Sequence, residues 1–114
     1  MRIYHNPACG TSRTVLARLR ENGIEPEILE YLKTPPDVAE LRSLLKQLGL
    51  EARDLLRRKG TTLETLGFVE ADMSGDAILE AIARHPILLE RPIVAQDGVA
   101  RICRPADRVE TFLG

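Results

Sequence analysis

The opening stretch constrains this chain more than any other. Arg2-Ile3-Tyr4-His5 is short and apolar at its centre, which suits a strand. An amphipathic run over 14–21 follows, with Val15, Leu16 and Leu19 at helical spacing. Thr11 or Ser12 can cap its start, and Asn22-Gly23 is a strong stop. Glu27 to Tyr31 then reads as a second strand. A strand, a helix and a strand in this order form a right-handed crossover, so the two strands are expected to be parallel. The loop Asn6-Pro7-Ala8-Cys9-Gly10 then falls at the carboxyl end of the first strand.

That placement makes Cys9 the residue of greatest chemical interest. A thiol at a strand-to-helix junction faces free backbone N–H groups and the positive end of a helix dipole, and both favour thiolate. The same amides can hold an oxyanion beside the sulfur. A small buried cysteine is the bland alternative, but the flanking Pro, Gly, Thr and Ser read as loop, not core. His5 lies four residues earlier, at the end of the strand, where an imidazolium would lower the thiol pKa further or the ring would merely cap the strand. Ser12 stands where a dithiol redox protein carries its second cysteine, so Cys9 needs an external thiol to complete a redox cycle. The residue six beyond Cys9 is Val15, not the arginine of a cysteine-dependent phosphatase loop.

The 114 residues suffice for one domain with a single core and no disulfide staples. With 16 basic against 17 acidic side chains there is no net field to attract nucleic acid or an anionic membrane, so any anion site is local. No apolar run approaches the roughly 18 residues of a membrane span, and the first residues carry Arg2, His5 and Asn6 instead of a long apolar stretch, so a cytoplasmic protein is expected. Cys9 and Cys103 form no CxxC pair and no zinc-type cluster, and a reducing compartment would keep both as thiols; no bound metal or cofactor is expected.

Past Pro35-Pro36, Asp37-Val38-Ala39-Glu40 resembles a capping box for a helix with Leu41, Leu44, Leu45 and Leu48 inward, ended by Gly49. Further helical turns are expected over 51–58 and 62–66, and a helix over 74–84 with Ile78, Leu79 and Ile82 inward, stopped by His85-Pro86. Ile93 to Ala95 and Val99 to Cys103 flank the turn Gln96-Asp97-Gly98, an antiparallel hairpin. Pro105 suits the first turn of a last helix burying Val109, Phe112 and Leu113. The order β-α-β, helical insert at about 37–84, β-hairpin, α is that of a thioredoxin-like α/β fold with a mixed sheet. Arg91-Pro92 fits it, since that fold characteristically has a cis proline before the hairpin; an ordinary trans proline is the alternative.

Most of the arginines must be solvated surface charge. Arg57 ends the apolar turn Leu55-Leu56, whereas Arg91 and Arg104 each precede a proline, which biases their backbones to extended conformations. A guanidinium binds a tetrahedral oxyanion through paired hydrogen bonds, as lysine cannot.

The segments His5-Asn6-Pro7-Ala8-Cys9-Gly10-Thr11-Ser12-Arg13, Tyr31-Leu32-Lys33-Thr34-Pro35-Pro36, Leu55-Leu56-Arg57, His85-Pro86-Ile87-Leu88, Arg91-Pro92-Ile93-Val94 and Arg101-Ile102-Cys103-Arg104-Pro105 together resemble the glutaredoxin-coupled arsenate reductase family, in order and over nearly the whole chain. The resemblance implies that Cys9 is the nucleophile and His5 the residue depressing its pKa. It also implies that Arg57, Arg91 and Arg104 bind the oxyanion, that Gly10, Thr11 and Ser12 line the anion loop, and that Pro92 is structural. Cys103 resembles a second cysteine that the family does not need, and reads as a packing residue. The implied partners are arsenate, glutathione as co-substrate and glutaredoxin, acting on a monomer. In the implied reaction, Cys9 attacks arsenate with loss of water, glutathione attacks the adduct, and glutaredoxin takes up the glutathione as arsenite leaves. Some relatives continue past the position of Gly114 with a charged tail, but every matched motif precedes it. Two rivals are a redox-responsive regulator binding RNA polymerase, which would generally carry CxxC where this chain has Ser12, and a glutathione-dependent oxidoreductase with another substrate.

Overall fold

A computed structural model describes residues 1–113, which divide into two compact units: residues 1–34 with 91–113, and residues 35–90. In the first unit β1 (Arg2–His5), α1 (Gly10–Glu21) and β2 (Glu27–Glu30) form the expected crossover, and β3 (Ile93–Gln96) and β4 (Val99–Ile102) the expected hairpin. The sheet runs β2-β1-β3-β4, with β1 parallel to β2 and antiparallel to β3, and β3 antiparallel to β4. This is the mixed sheet of a thioredoxin-like fold. Asp97 and Gly98 both have positive φ, 51° and 80°, as a two-residue hairpin turn matching the strand twist requires.

Ile3 and Val94 from the sheet, Val15, Leu16 and Leu19 from α1, and Cys103 and Val109 form the core of this unit. Met1, Ile24, Phe112 and Leu113 pack at its margin. The last segment is a 3₁₀ helix, Ala106–Phe112, with Pro105 as its N-cap instead of lying in its first turn; it packs on α1. A cap position suits Pro105 because its φ of −63° and missing N–H cost nothing there. The Arg91–Pro92 and Arg104–Pro105 bonds are both cis.

Cys103 is fully buried, and burial pushes its thiol pKa up to about 11. Thiol labelling near pH 8 is therefore expected to count one reactive cysteine in the native protein and two in denaturant. An acid whose folded pKa exceeds its unfolded value binds more protons when folded, so stability falls as pH rises from about 9 toward 11. Denaturant melts at pH 8 and pH 10.5 should show a steeper loss in the native protein than in Cys103→Ala.

In the second unit α2 (Val38–Leu48) begins at Asp37, whose carboxylate accepts the Glu40 N–H at 2.8 Å, and ends at Gly49 with φ 67°. Leu41 and Leu44 are buried, Leu45 and Leu48 half-buried. The cap supplies one of the helix's orphan N–H groups with an acceptor, so Asp37→Ala should cost about 1 kcal/mol in a denaturant melt. α3 (Gly75–Arg84) is capped by Ser74 and buries Ile78, Leu79, Ala81 and Ile82 against α2 and the 3₁₀ turns Ala52–Leu55 and Pro86–Leu88. The helical reading over 51–58 needs correction. Only Ala52–Leu55 turns, and Leu56 is extended and pairs with Leu89 in an antiparallel bridge. The Arg57 N–H donates to the Leu88 carbonyl at 2.8 Å and Glu90 N–H to that of Leu55. Extending here satisfies the backbone of a segment that buries Leu55, Leu56, Leu88 and Leu89 together.

Candidate active site

The helix expected from residue 14 starts at Gly10, which makes Cys9 its N-cap, in extended conformation with φ −91° and ψ 121°. Neither Thr11 nor Ser12 caps it. Ser12 is fully buried in the first turn and faces the loop: its Oγ accepts the Asn6 N–H at 3.1 Å and lies 2.6 Å from His5 Nδ1. Asn6 folds the loop, its Oδ1 accepting the Ala8 N–H and its carbonyl the Cys9 N–H, both at 3.0 Å. Side chains on β1, in the loop and on α1 thus lock one another, and Cys9 is left half-exposed above the first turn.

Two arginines from the far end of the chain reach this sulfur. Arg104 Nη1 lies 3.9 Å from Cys9 Sγ and 3.4 Å from the Arg91 carbonyl. Arg91 is only 8% exposed, and its guanidinium is one of the groups that lower the Cys9 pKa. Burial raises the thiol pKa, but the Ser12 N–H and the Arg91 and Arg104 guanidinium groups outweigh it, so Cys9 titrates below an ordinary thiol. The result is a thiol of lowered pKa beside two guanidinium groups at a helix N-terminus, an arrangement that favours thiolate and is chemically able to hold a small anion.

His5 departs from its expected part. Burial lowers its pKa, only partly offset by the Glu30 carboxylate, so the ring is neutral at physiological pH, not an imidazolium beside the sulfur. His5 Nδ1 shares a 2.6 Å hydrogen bond with the Ser12 hydroxyl, whose oxygen also accepts the Asn6 N–H. Its connection to Cys9 therefore runs through Ser12, whose backbone N–H supports the thiolate. We predict that His5→Ala shifts the Cys9 alkylation midpoint upward by less than Arg104→Ala does; an equal or larger shift would restore a direct role for the ring.

Gly10 is exposed and Thr11 half-buried, both in the first turn of α1. Pro92 is buried and its carbonyl accepts the Cys103 N–H at 2.9 Å. Arg57 belongs to the other unit, half-buried, with its guanidinium against Gly60. Asn6 was not singled out by sequence, although an Asn-Pro pair in a tight loop is a signal for a side chain bonding the backbone two residues on. No group of three or more His, Cys, Asp or Glu among the described residues is arranged to hold a metal ion.

The ArsC family model matches residues 4–112, and the chain belongs to that family. It is 48% identical to an arsenate reductase of Rhizobium meliloti over 97% of this chain and 79% of that protein. An uncharacterized protein of Escherichia coli, YfgD, is 46% identical over the whole chain and 97% of its own length. Among solved structures, an arsenate reductase from Vibrio cholerae superposes with a TM-score of 0.90 and 45% identity, covering 97% of each chain.

Proposed function

We propose that this protein is a cytoplasmic, monomeric arsenate reductase that draws its electrons from glutathione and glutaredoxin. The observation that carries the reading is Cys9, a half-exposed thiol of lowered pKa within reach of the Arg91 and Arg104 guanidinium groups at the start of α1. Relatives named arsenate reductase, similar over almost the whole chain, support it. No helix among the described residues is long and apolar enough to cross a membrane, in keeping with a cytoplasmic setting.

In this reading Arg91 and Arg104, joined by Arg57, hold arsenate with the first-turn amides of Gly10, Thr11 and Ser12. The Cys9 thiolate forms a sulfur–arsenic bond and one arsenic oxygen leaves as water. Glutathione displaces a second oxygen as water. A glutaredoxin thiolate then takes the glutathione sulfur, its bonding pair passes to arsenic, and As(V) becomes As(III) bound to Cys9. Water cleaves that bond, releasing arsenite and the thiol. Each turnover consumes two electrons, supplied by the external thiols because Ser12 offers Cys9 no partner for a disulfide.

A coupled assay with arsenate, glutathione and glutaredoxin tests the proposal. Arsenite should accumulate only when all three are present; no arsenite above the enzyme-free rate would overturn it.

A further inference from the structure

We propose that Tyr31 is a positioning residue of this site, its buried phenol oxygen holding the Arg91 guanidinium and the Asn6 carboxamide in the orientation that the oxyanion seat requires. The inference rests on the arsenate-reducing reading for its substrate, and on geometry for the rest.

Tyr31 is the residue after β2 and is completely buried. The parallel register pairs His5 with Glu30, so the next step along both strands sets Asn6 beside Tyr31. On the other side β1 pairs with β3 through Tyr4 and Ile93, so the chain leaving β1 at Asn6 and the chain entering β3 at Arg91 meet at the same end of the sheet. Tyr31, Asn6 and Arg91 therefore gather at the end of the sheet that carries Cys9, where Arg91 and Asn6 both act on the Tyr31 phenol.

The Tyr31 hydroxyl is cut off from solvent and makes no hydrogen bond of regular geometry, although Arg91 and Asn6 are close enough to act on it. Both neighbours approach as donors. Arg91 has nothing else to offer. Asn6 Oδ1 is engaged by the Ala8 N–H at 3.0 Å, which leaves its amide N–H groups as the part that acts on the phenol. A buried polar group lacking a regular bond costs on the order of 1–3 kcal/mol, and small shifts of Arg91 or Asn6 as an anion binds would relieve it.

A phenol suits this position chemically. Burial, the dominant influence, pushes its pKa up despite Arg91 and Asn6, so it stays neutral wherever the thiolate is active. A neutral acceptor fixes the fork of a guanidinium without cancelling its charge, as a carboxylate would. Because the hydroxyl is inaccessible, it acts through Arg91 and Asn6 and not on the substrate itself.

Tyr31→Phe removes the oxygen and keeps the ring, so packing is preserved. We expect the KM for arsenate to rise roughly tenfold with kcat within about twofold, and the pH midpoint of Cys9 alkylation to move upward. On an Arg91→Ala background the same change should add nothing to either. Unchanged KM and midpoint, with or without a lower Tm, would reduce Tyr31 to a packing residue and overturn the proposal, as would fully additive effects with Arg91→Ala. The alkylation arm needs no arsenate, so it still judges Tyr31 if the wild-type protein proves not to reduce arsenate.

Discussion

Cys9→Ser is expected to abolish arsenate reduction, lowering kcat by about a thousand-fold or more while leaving the fold intact. Serine matches cysteine in shape, and residue 9 lies half-exposed at a helix cap, a position where serine is a favoured residue. What changes is the chemistry. The helix N-terminus and two guanidinium groups lower the pKa of a thiol but cannot ionise an alkanol. An oxygen at this position also cannot hold arsenic through reduction and release as sulfur does. Arsenite production and a thermal melt, run side by side, check both halves. Retention of a tenth of wild-type turnover would show that another group attacks.

Arg91→Ala and Arg104→Ala are expected to produce the next largest losses, each about a hundred-fold in kcat/KM. On the proposed reading each removes a charged donor from the anion, and each removes a group that lowers the Cys9 pKa. The pH sign follows from the lowered pKa of Cys9: without either guanidinium the thiol titrates at higher pH, so the acid limb of the rate profile moves upward. Arg91→Lys should recover part of the shift, because charge is kept, but less of the KM, because the bidentate fork is lost. Arg57→Ala should also raise the arsenate requirement if it completes the trio. Normal profiles in both the Arg91 and Arg104 variants would mean that neither touches the reacting groups.

The strand, crossover and hairpin were legible because local signals agree with the final packing. Ile3 and Val94 reach the core from the sheet, Asn22-Gly23 closes α1, and Asp97-Gly98 supplies the positive φ angles of the turn. Arg91 and Arg104 could be marked from their proline neighbours and from resemblance, and the structure sets both at Cys9. Three features escaped the sequence for one physical reason, that their partners are remote or buried. Ser12 looks like a cap, yet it turns inward to His5 and Asn6. Leu56 follows a helical-looking run, yet it extends to meet Leu89. Tyr31 reads as the end of a strand, and its neighbours Asn6 and Arg91 appear only when three strands align. The neutral state of His5 is likewise a product of burial, which no spacing rule reports.

The most direct test of a thiolate poised in a cationic oxyanion seat is the rate of Cys9 alkylation against pH, with and without arsenate. The midpoint should lie clearly below that of an ordinary thiol, and arsenate should protect the sulfur in proportion to its occupancy. A midpoint at the ordinary value, together with alkylation indifferent to arsenate, would contradict the account.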